Sequence, residues 1–249
     1  MTAAHSPLNV ETTGTGRDLV LLHGGAGGIA DLSALRDQLQ AGRRIIAPDQ
    51  RAHGRSPDLG ELTYAAMAGD TAALLDELGV RSADLVGWSD GGVIALMVAR
   101  DRPDLVRRVA AISANVSWAP PAPAAMEESS LEWARTATAD QFELPLGRAE
   151  LPGAVEAWPG VVKRLTAMWL ADPGIDLRDL SRLTRRVLIL AGDHDLVRTE
   201  HSVAMFEALP DGGLAIVPGA GHQVPQTHPA EVAAIVVRFL DEDETRPEP

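Results

Sequence analysis

A serine flanked by glycines, a late histidine and an aspartate after a strand are the residue types that acyl transfer requires. This chain holds all three. Gly87-Trp88-Ser89-Asp90-Gly91-Gly92 has the form Gly-x-Ser-x-Gly, between an expected strand and an expected helix. A turn of that kind strains the serine backbone and exposes its hydroxyl. The glycines let the chain turn and the helix approach the sheet. Ser89 is the expected nucleophile; the bland alternative is a glycine-rich turn with an incidental serine.

A serine hydroxyl needs a base to take its proton. Of the seven histidines, His222 follows the last expected strand in Gly219-Ala220-Gly221-His222, where a loop can bring it over the sheet. His194 is the rival, although it lies between two acids. His23 and His53 read as structural loop residues, His5 lies in the N-terminal arm, His201 in a helix and His228 at a helix start. The base in turn needs a carboxylate to fix its tautomer. Asp193 and Asp195, in Gly192-Asp193-His194-Asp195, both follow a strand and both qualify. A metal site there lacks further ligands at suitable spacing, so none is expected. Oxyanion donors are expected from the Asp90 amide and from Gly25 in His23-Gly24-Gly25-Ala26-Gly27. That loop is a poor phosphate cradle, because no Lys-Ser/Thr follows it.

The elements that must carry these residues alternate. Short buried strands are expected at 19–22, 44–47, 84–87, 109–113, 187–191 and 214–217. Helices are expected at 31–39, 63–78, 92–100, 199–208 and 229–240. The rhythm predicts an α/β chain with a mostly parallel sheet and helices on both faces. It breaks between Val116 and Leu180, a segment opened by Pro120, Pro121 and Pro123. Residues 117–180 are expected to form an inserted helical lid on a core of 1–116 and 181–249. Four of the five tryptophans, Trp118, Trp133, Trp158 and Trp169, fall there with Phe142. They are expected to bind an apolar or aromatic part of the substrate. Trp88 and Asp90 join them as substrate-contact candidates. The Asp90 carboxylate either meets a substrate cation or faces the lid and the start of its own helix.

Composition mostly removes options. The 249 residues are 45% hydrophobic, carry a net charge of −13 and include no cysteine. A disulfide scaffold, a thiolate zinc site and a cysteine nucleophile are excluded together. The acidic balance argues against nucleic acid and anionic membranes as partners. No targeting or spanning segment is apparent, so a cytoplasmic location is expected, with a small-molecule substrate, no cofactor and the oligomeric state unassigned.

The order Ser89, Asp, His222, with His23-Gly24-Gly25 upstream, resembles the α/β-hydrolase fold family nearly end to end. Asp49-Gln50-Arg51-Ala52-His53-Gly54-Arg55-Ser56 looks like that family's Asp-x-Arg-Gly-x-Gly-x-Ser loop, with Ala52 in place of its first glycine. The acid loop is similar to one whose second acid is catalytic, which implies Asp195. Asn115 stands where some members place the acid, and an Asn does not serve in that way. A serine nucleophile separates the chain from the family's haloalkane dehalogenases and epoxide hydrolases. The elbow hexapeptide is similar to that of the biphenyl hydrolase-like, or valacyclovir hydrolase, branch. The resemblance implies a Ser-His-Asp ester hydrolase. The alternative is a cyclase, lyase, perhydrolase or ligand receptor on the same scaffold.

Overall fold

A computed structural model describes residues 7–117 and 128–242. In chain order these form β1 (Val10–Gly14), β2 (Arg17–Leu22), α1 (Ser33–Leu39), β3 (Arg43–Pro48), α2 (Tyr64–Glu77), β4 (Ala83–Trp88), α3 (Asp90–Asp101) and β5 (Val106–Ile112). Then follow α4 (Glu128–Thr136), α5 (Ala154–Leu170), α6 (Leu177–Leu180), β6 (Arg186–His194), α7 (Thr199–Ala208), β7 (Gly212–Gly221), α8 (Val224–Thr227) and α9 (Pro229–Asp241). The strands make one sheet in the order β1-β3-β2-β4-β5-β6-β7, parallel except where β1 pairs antiparallel with β3. Sequence patterning missed β1. It is an edge strand, largely polar and half exposed, so it lacks the buried β-branched run that marks the others.

The sheet is apolar on both faces because both are covered. Along β4 and β5, Leu85, Val109 and Ala111 pack toward one cluster with α2, α3 and α7. Val86, Trp88, Ala110 and Ile112 pack toward the other with α1 and α9. That is the period of two expected of a strand buried on each side. Local signals set the helix ends. The Thr63 hydroxyl accepts from the Ala66 amide at 3.2 Å to cap α2, and Gly79 follows with φ 66°.

Between β5 and β6 the described chain is helical, and its two ends meet where Ser117 bridges Asp176. Helix α5 turns Trp158, Val161, Val162 and Leu165 toward the core, all nearly fully buried. Among the described residues no helix is long and apolar enough to cross a membrane.

The carboxyl ends of β2, β4, β6 and β7 converge on one edge of the sheet. Two glycines bring the segments there together. A Cβ on Gly87 would overlap the Gly91 carbonyl, and a Cβ on Gly91 would overlap the Leu22 and His23 carbonyls. Beneath the loop that follows β2 lie two buried histidines, with ring centroids 5.2 Å apart. His23 Nδ1–H donates to the Gly24 carbonyl at 2.7 Å, and its Nε2 accepts from the Gln50 amide at 2.9 Å. His53 Nδ1–H donates to the Arg51 carbonyl at 2.8 Å, and its Nε2 accepts from the Ala26 amide at 3.1 Å. Each ring spends both nitrogens as a neutral imidazole, in the structural role expected for both. Burial and the neighbouring His23 push the His53 pKa down to about 3.

Two outcomes follow from these contacts. Gly91→Ala is expected to lose about 1–3 kcal/mol of stability. Gly69→Ala, at an exposed site in α2 with open space around it, is expected to gain about 0.5–1 kcal/mol. Urea unfolding of both variants checks the contrast. The second outcome concerns acid. The unfolded chain takes up a proton at His53 below its ordinary value of 6.5, whereas the folded chain refuses it down to about 3. The His53 contribution is therefore complete above pH 6.5 and fades as pH falls, by about 1.4 kcal/mol per pH unit. In His53→Gln, stability plotted between pH 6 and 4 is expected to be flatter than wild type by about that slope.

Candidate active site

Ser89 sits between β4 and α3 with φ 54° and ψ −118°, outside the conformations that L-residues favour. Its amide donates to the Ile112 carbonyl at 2.8 Å, and its carbonyl accepts from the Gly92 amide at 2.9 Å. Those bonds over-determine the turn and leave Oγ facing the cavity. Ser89 Oγ–H donates to His222 Nε2 at 2.9 Å, and His222 Nδ1–H donates to Asp195 Oδ1 at 2.7 Å. The carboxylate fixes this tautomer, which presents the unprotonated nitrogen to the serine.

Of the two acids at the carboxyl end of β6, Asp195 meets the histidine. Asp193 is exposed and accepts from the Gly219 amide at 2.7 Å. His194, the rival base, is also exposed and lies 3.9 Å from Asp193. The Asp195 side chain has no exposed surface. Burial alone would raise its pKa, but the bond and charge of His222, together with Ser113 and the Val197 amide, hold it below the ordinary carboxylate value. Ser113 Oγ–H donates to Asp195 Oδ2 at 2.5 Å from a backbone with φ 53°. Sequence reading did not single out Ser113. Its signal was its place just past a buried strand, one over from the elbow.

Gly25 and Asp90 both border the cavity beside Ser89. Beyond Gly25 three of the loop's amides are engaged: Ala26 with His53, Gly28 with Asp31 and Ile29 with Asp49. The Asp90 carboxylate is buried. Its Oδ1 accepts from the Tyr64 hydroxyl at 2.9 Å, and its Oδ2 accepts from Trp169 Nε1–H at 3.0 Å. Burial raises its pKa despite those bonds, and burial beside that charge raises the Tyr64 pKa well above its ordinary value. Of the two roles foreseen for Asp90, facing the inserted segment is the one its contacts fit. Tyr64, the chain's one tyrosine, was invisible as a site residue because its partner lies 26 positions away.

The cavity encloses about 600 Å³. One wall is aromatic. Trp133 stacks on Trp169 at 6.3 Å and 16°, and Phe142 tilts against both at 5.5 and 5.8 Å. Trp88 borders the same space, as do Asn115, Gln141 and Gln223. Trp158 does not line it, which corrects the expectation. It shares a face of α5 with Trp169 but lies three turns earlier, about 16 Å along the axis, and packs into the core. Trp118 lies outside the described residues. Among the described residues no group of three or more His, Cys, Asp or Glu is placed to hold a metal ion.

The sequence pattern of the alpha/beta hydrolase family matches residues 19–235. A mouse protein, sn-1-specific diacylglycerol lipase ABHD11, is 27% identical over 255 residues, covering 89% of this chain and 80% of its own. Frog and zebrafish proteins of the same name match over 35–39% of their own length. A 2-hydroxymuconate semialdehyde hydrolase of Pseudomonas sp. (strain CF600) is 26% identical over 261 residues, 96% of this chain and 92% of its own. The meta-cleavage product hydrolase CumD of Pseudomonas fluorescens IP01, solved as a serine-to-alanine mutant complexed with acetates, superposes with a TM-score of 0.77 at 19% identity, over 94% of each chain. The fold superposes over most of the chain, and the family pattern spans β2, the Ser89 turn, Asp195 and His222: the chain belongs to the alpha/beta hydrolase family.

Proposed function

We propose that this chain is a serine hydrolase that cleaves a small-molecule carboxylic ester, or a related lactone, thioester or amide, through an acyl-enzyme. The observation that carries the reading is the unbroken chain of hydrogen bonds from Ser89 Oγ through His222 to the buried Asp195, opening onto a cavity of about 600 Å³. Relatives named as a lipase and as a hydrolase support it.

In this scheme Ser89 Oγ attacks the carbonyl carbon while its proton passes to His222 Nε2. The negative charge on the tetrahedral oxygen is met by the Gly25 and Asp90 amides, reinforced by the positive end of α3. The intermediate collapses as His222 gives its proton to the leaving oxygen, sulfur or nitrogen. A water molecule then repeats the sequence against the acyl-enzyme, with His222 as base, and Ser89 is regenerated. Asp195 holds the imidazole and offsets the charge it gains. The scheme calls on no metal or cofactor.

The cavity lining argues for the substrate class. Trp133, Phe142, Trp169 and Trp88 offer flat apolar surface, and the polar groups beside them include the uncharged amides of Asn115, Gln141 and Gln223. No Lys or Arg lines the cavity among the described residues, while Asp90 borders it with its carboxylate held by Tyr64 and Trp169. A neutral ester with an aromatic or apolar arm suits that lining, and an acyl group bearing its own carboxylate does not. The elbow's likeness to the biphenyl hydrolase-like branch is part of this proposal, resting on six residues.

A fluorophosphonate probe is expected to label wild type and not Ser89→Ala; equal labelling of the two would sink the assignment. With p-nitrophenyl esters of graded chain length, Asp195→Asn is expected to lower kcat by about 10⁴-fold through the wrong His222 tautomer. An intact protein that turns over none of the panel would favour the cyclase, lyase, perhydrolase or receptor alternatives. Within the panel, a neutral aryl-acyl ester is expected to exceed its carboxylate-bearing counterpart by at least about 10-fold in kcat/KM, equivalent to about 1.4 kcal/mol. The reverse preference would overturn the reading of the lining.

A further inference from the structure

The residue before Ser89 reaches both the base and the loop after β2. Trp88 ends β4, paired with Ile112, and is buried to 8% exposure. Its Nε1–H donates to the His222 carbonyl at 2.7 Å. Its ring lies 5.8 Å from the imidazole, centroid to centroid, at 46°. Its far edge lies under the loop after β2, where a Cβ on Gly24 would come within 2.8 Å of the indole. A single side chain therefore contacts the base and the oxyanion loop while its own backbone carries the serine.

His222 needs such a contact. The β6–β7 ladder ends at Gly221, which pairs with His194. The next internal bonds belong to α8, where Gln226 and Thr227 donate to the Gln223 carbonyl. Residue 222 falls in the gap between ladder and helix, and the indole N–H is the donor that takes its carbonyl. Without it, the His222 carbonyl would lose that donor, and the imidazole would be positioned through its side-chain bonds to Asp195 and Ser89.

We propose that Trp88 is a positioning residue: its N–H sets the height of the His222 backbone above Ser89, and its ring seats Gly24 of the oxyanion loop. This departs from the substrate contact expected of Trp88 from sequence, although the ring also borders the cavity. The inference rests on the acyl-transfer reading of Ser89, His222 and Asp195. Displacements of about 1 Å at reacting groups cost up to about 100-fold in rate.

Trp88→Phe keeps a ring against Gly24 and removes the donor. The expected result on a neutral p-nitrophenyl ester is a kcat lower by about 10- to 100-fold, with KM within about 2-fold. The limb of the kcat/KM pH profile that reports His222 is expected to shift, because the peptide next to the imidazole is freed. A raised KM with unchanged kcat would make Trp88 a substrate contact instead and overturn the proposal. A lowered Tm with unchanged kcat and pH profile would make it packing alone, with the same consequence. If the variant does not fold, the wild type still decides. One indole resonance among the five tryptophans is expected to move with the midpoint of that pH limb, and again when a phosphonate occupies Ser89. Five resonances indifferent to both would reject the tether. Failure of the underlying reading looks different, since Ser89→Ala would then retain turnover. An inactive Ser89→Ala beside a wild-type-like Trp88→Phe sinks this inference alone.

Discussion

The positive φ of Ser89 is the constraint around which the rest is arranged. An L-residue with a side chain enters that region at a cost on the order of 1–3 kcal/mol, and stays there only if its surroundings leave no alternative. Here the surroundings are the amide bond to Ile112, the start of α3, and glycines at 87 and 91 that allow β4, α3 and β2 to come within backbone contact. Three other non-glycine residues with positive φ, Ala26, Ala52 and Ser113, lie in the loops around it. Strain among the described residues thus gathers on one edge of the sheet. Ala26 belongs to the loop after β2, Ser113 donates to Asp195, and Ala52 precedes the histidine that holds Ala26. Ala52 is also where the sequence departs from its family's glycine. The position keeps the glycine-like backbone even though a methyl group now occupies it, fully buried.

Electrostatics at this edge divide along burial. Asp195 and Asp90 are both sequestered carboxylates, yet their pKa values move in opposite directions. Asp195 has a histidine able to take positive charge plus a hydroxyl and an amide, so ionisation is favoured despite burial. Asp90 has two neutral donors on its two oxygens, so burial dominates. At the opposite edge Asp84 is equally buried and is flanked by Arg17 and Arg107 at 3.1 and 2.6 Å. One residue type thus serves to hold an imidazole, to join elements and to anchor strand ends, according to which donors reach it.

What was legible in the sequence was local. Gly87 to Gly92 declares itself because the turn's requirements fall on consecutive residues, and β2 through β6 declare themselves because strands buried on both faces are apolar runs. The helix at 63–78 had its start marked by the Thr63 cap and its end by Gly79. The contacts that complete the site were not legible, since they join residues far apart in the chain: Tyr64 with Asp90, Asp90 with Trp169, Ser113 with Asp195, Trp88 with His222. A tryptophan-rich stretch likewise signals an aromatic wall without saying which rings form it. Trp158 and Trp169 have the same type and helix face, and only their distance along α5 separates a core residue from a cavity residue.

The aromatic wall has one leaf bolted down and one left loose. Trp169 is tied by its nitrogen to the carboxylate of Asp90 beside Ser89, whereas Trp133, 42% exposed at the rim, meets Trp169 and Phe142 through its ring. Changes at 133 or 142 reshape the outer chamber without disturbing the buried charge or the turn beneath it. A lineage drifting toward new substrates has cheap moves at the rim and costly ones at the tie. Diversity among descendants of this scaffold would then accumulate at the mouth, around an inner face that stays as it is.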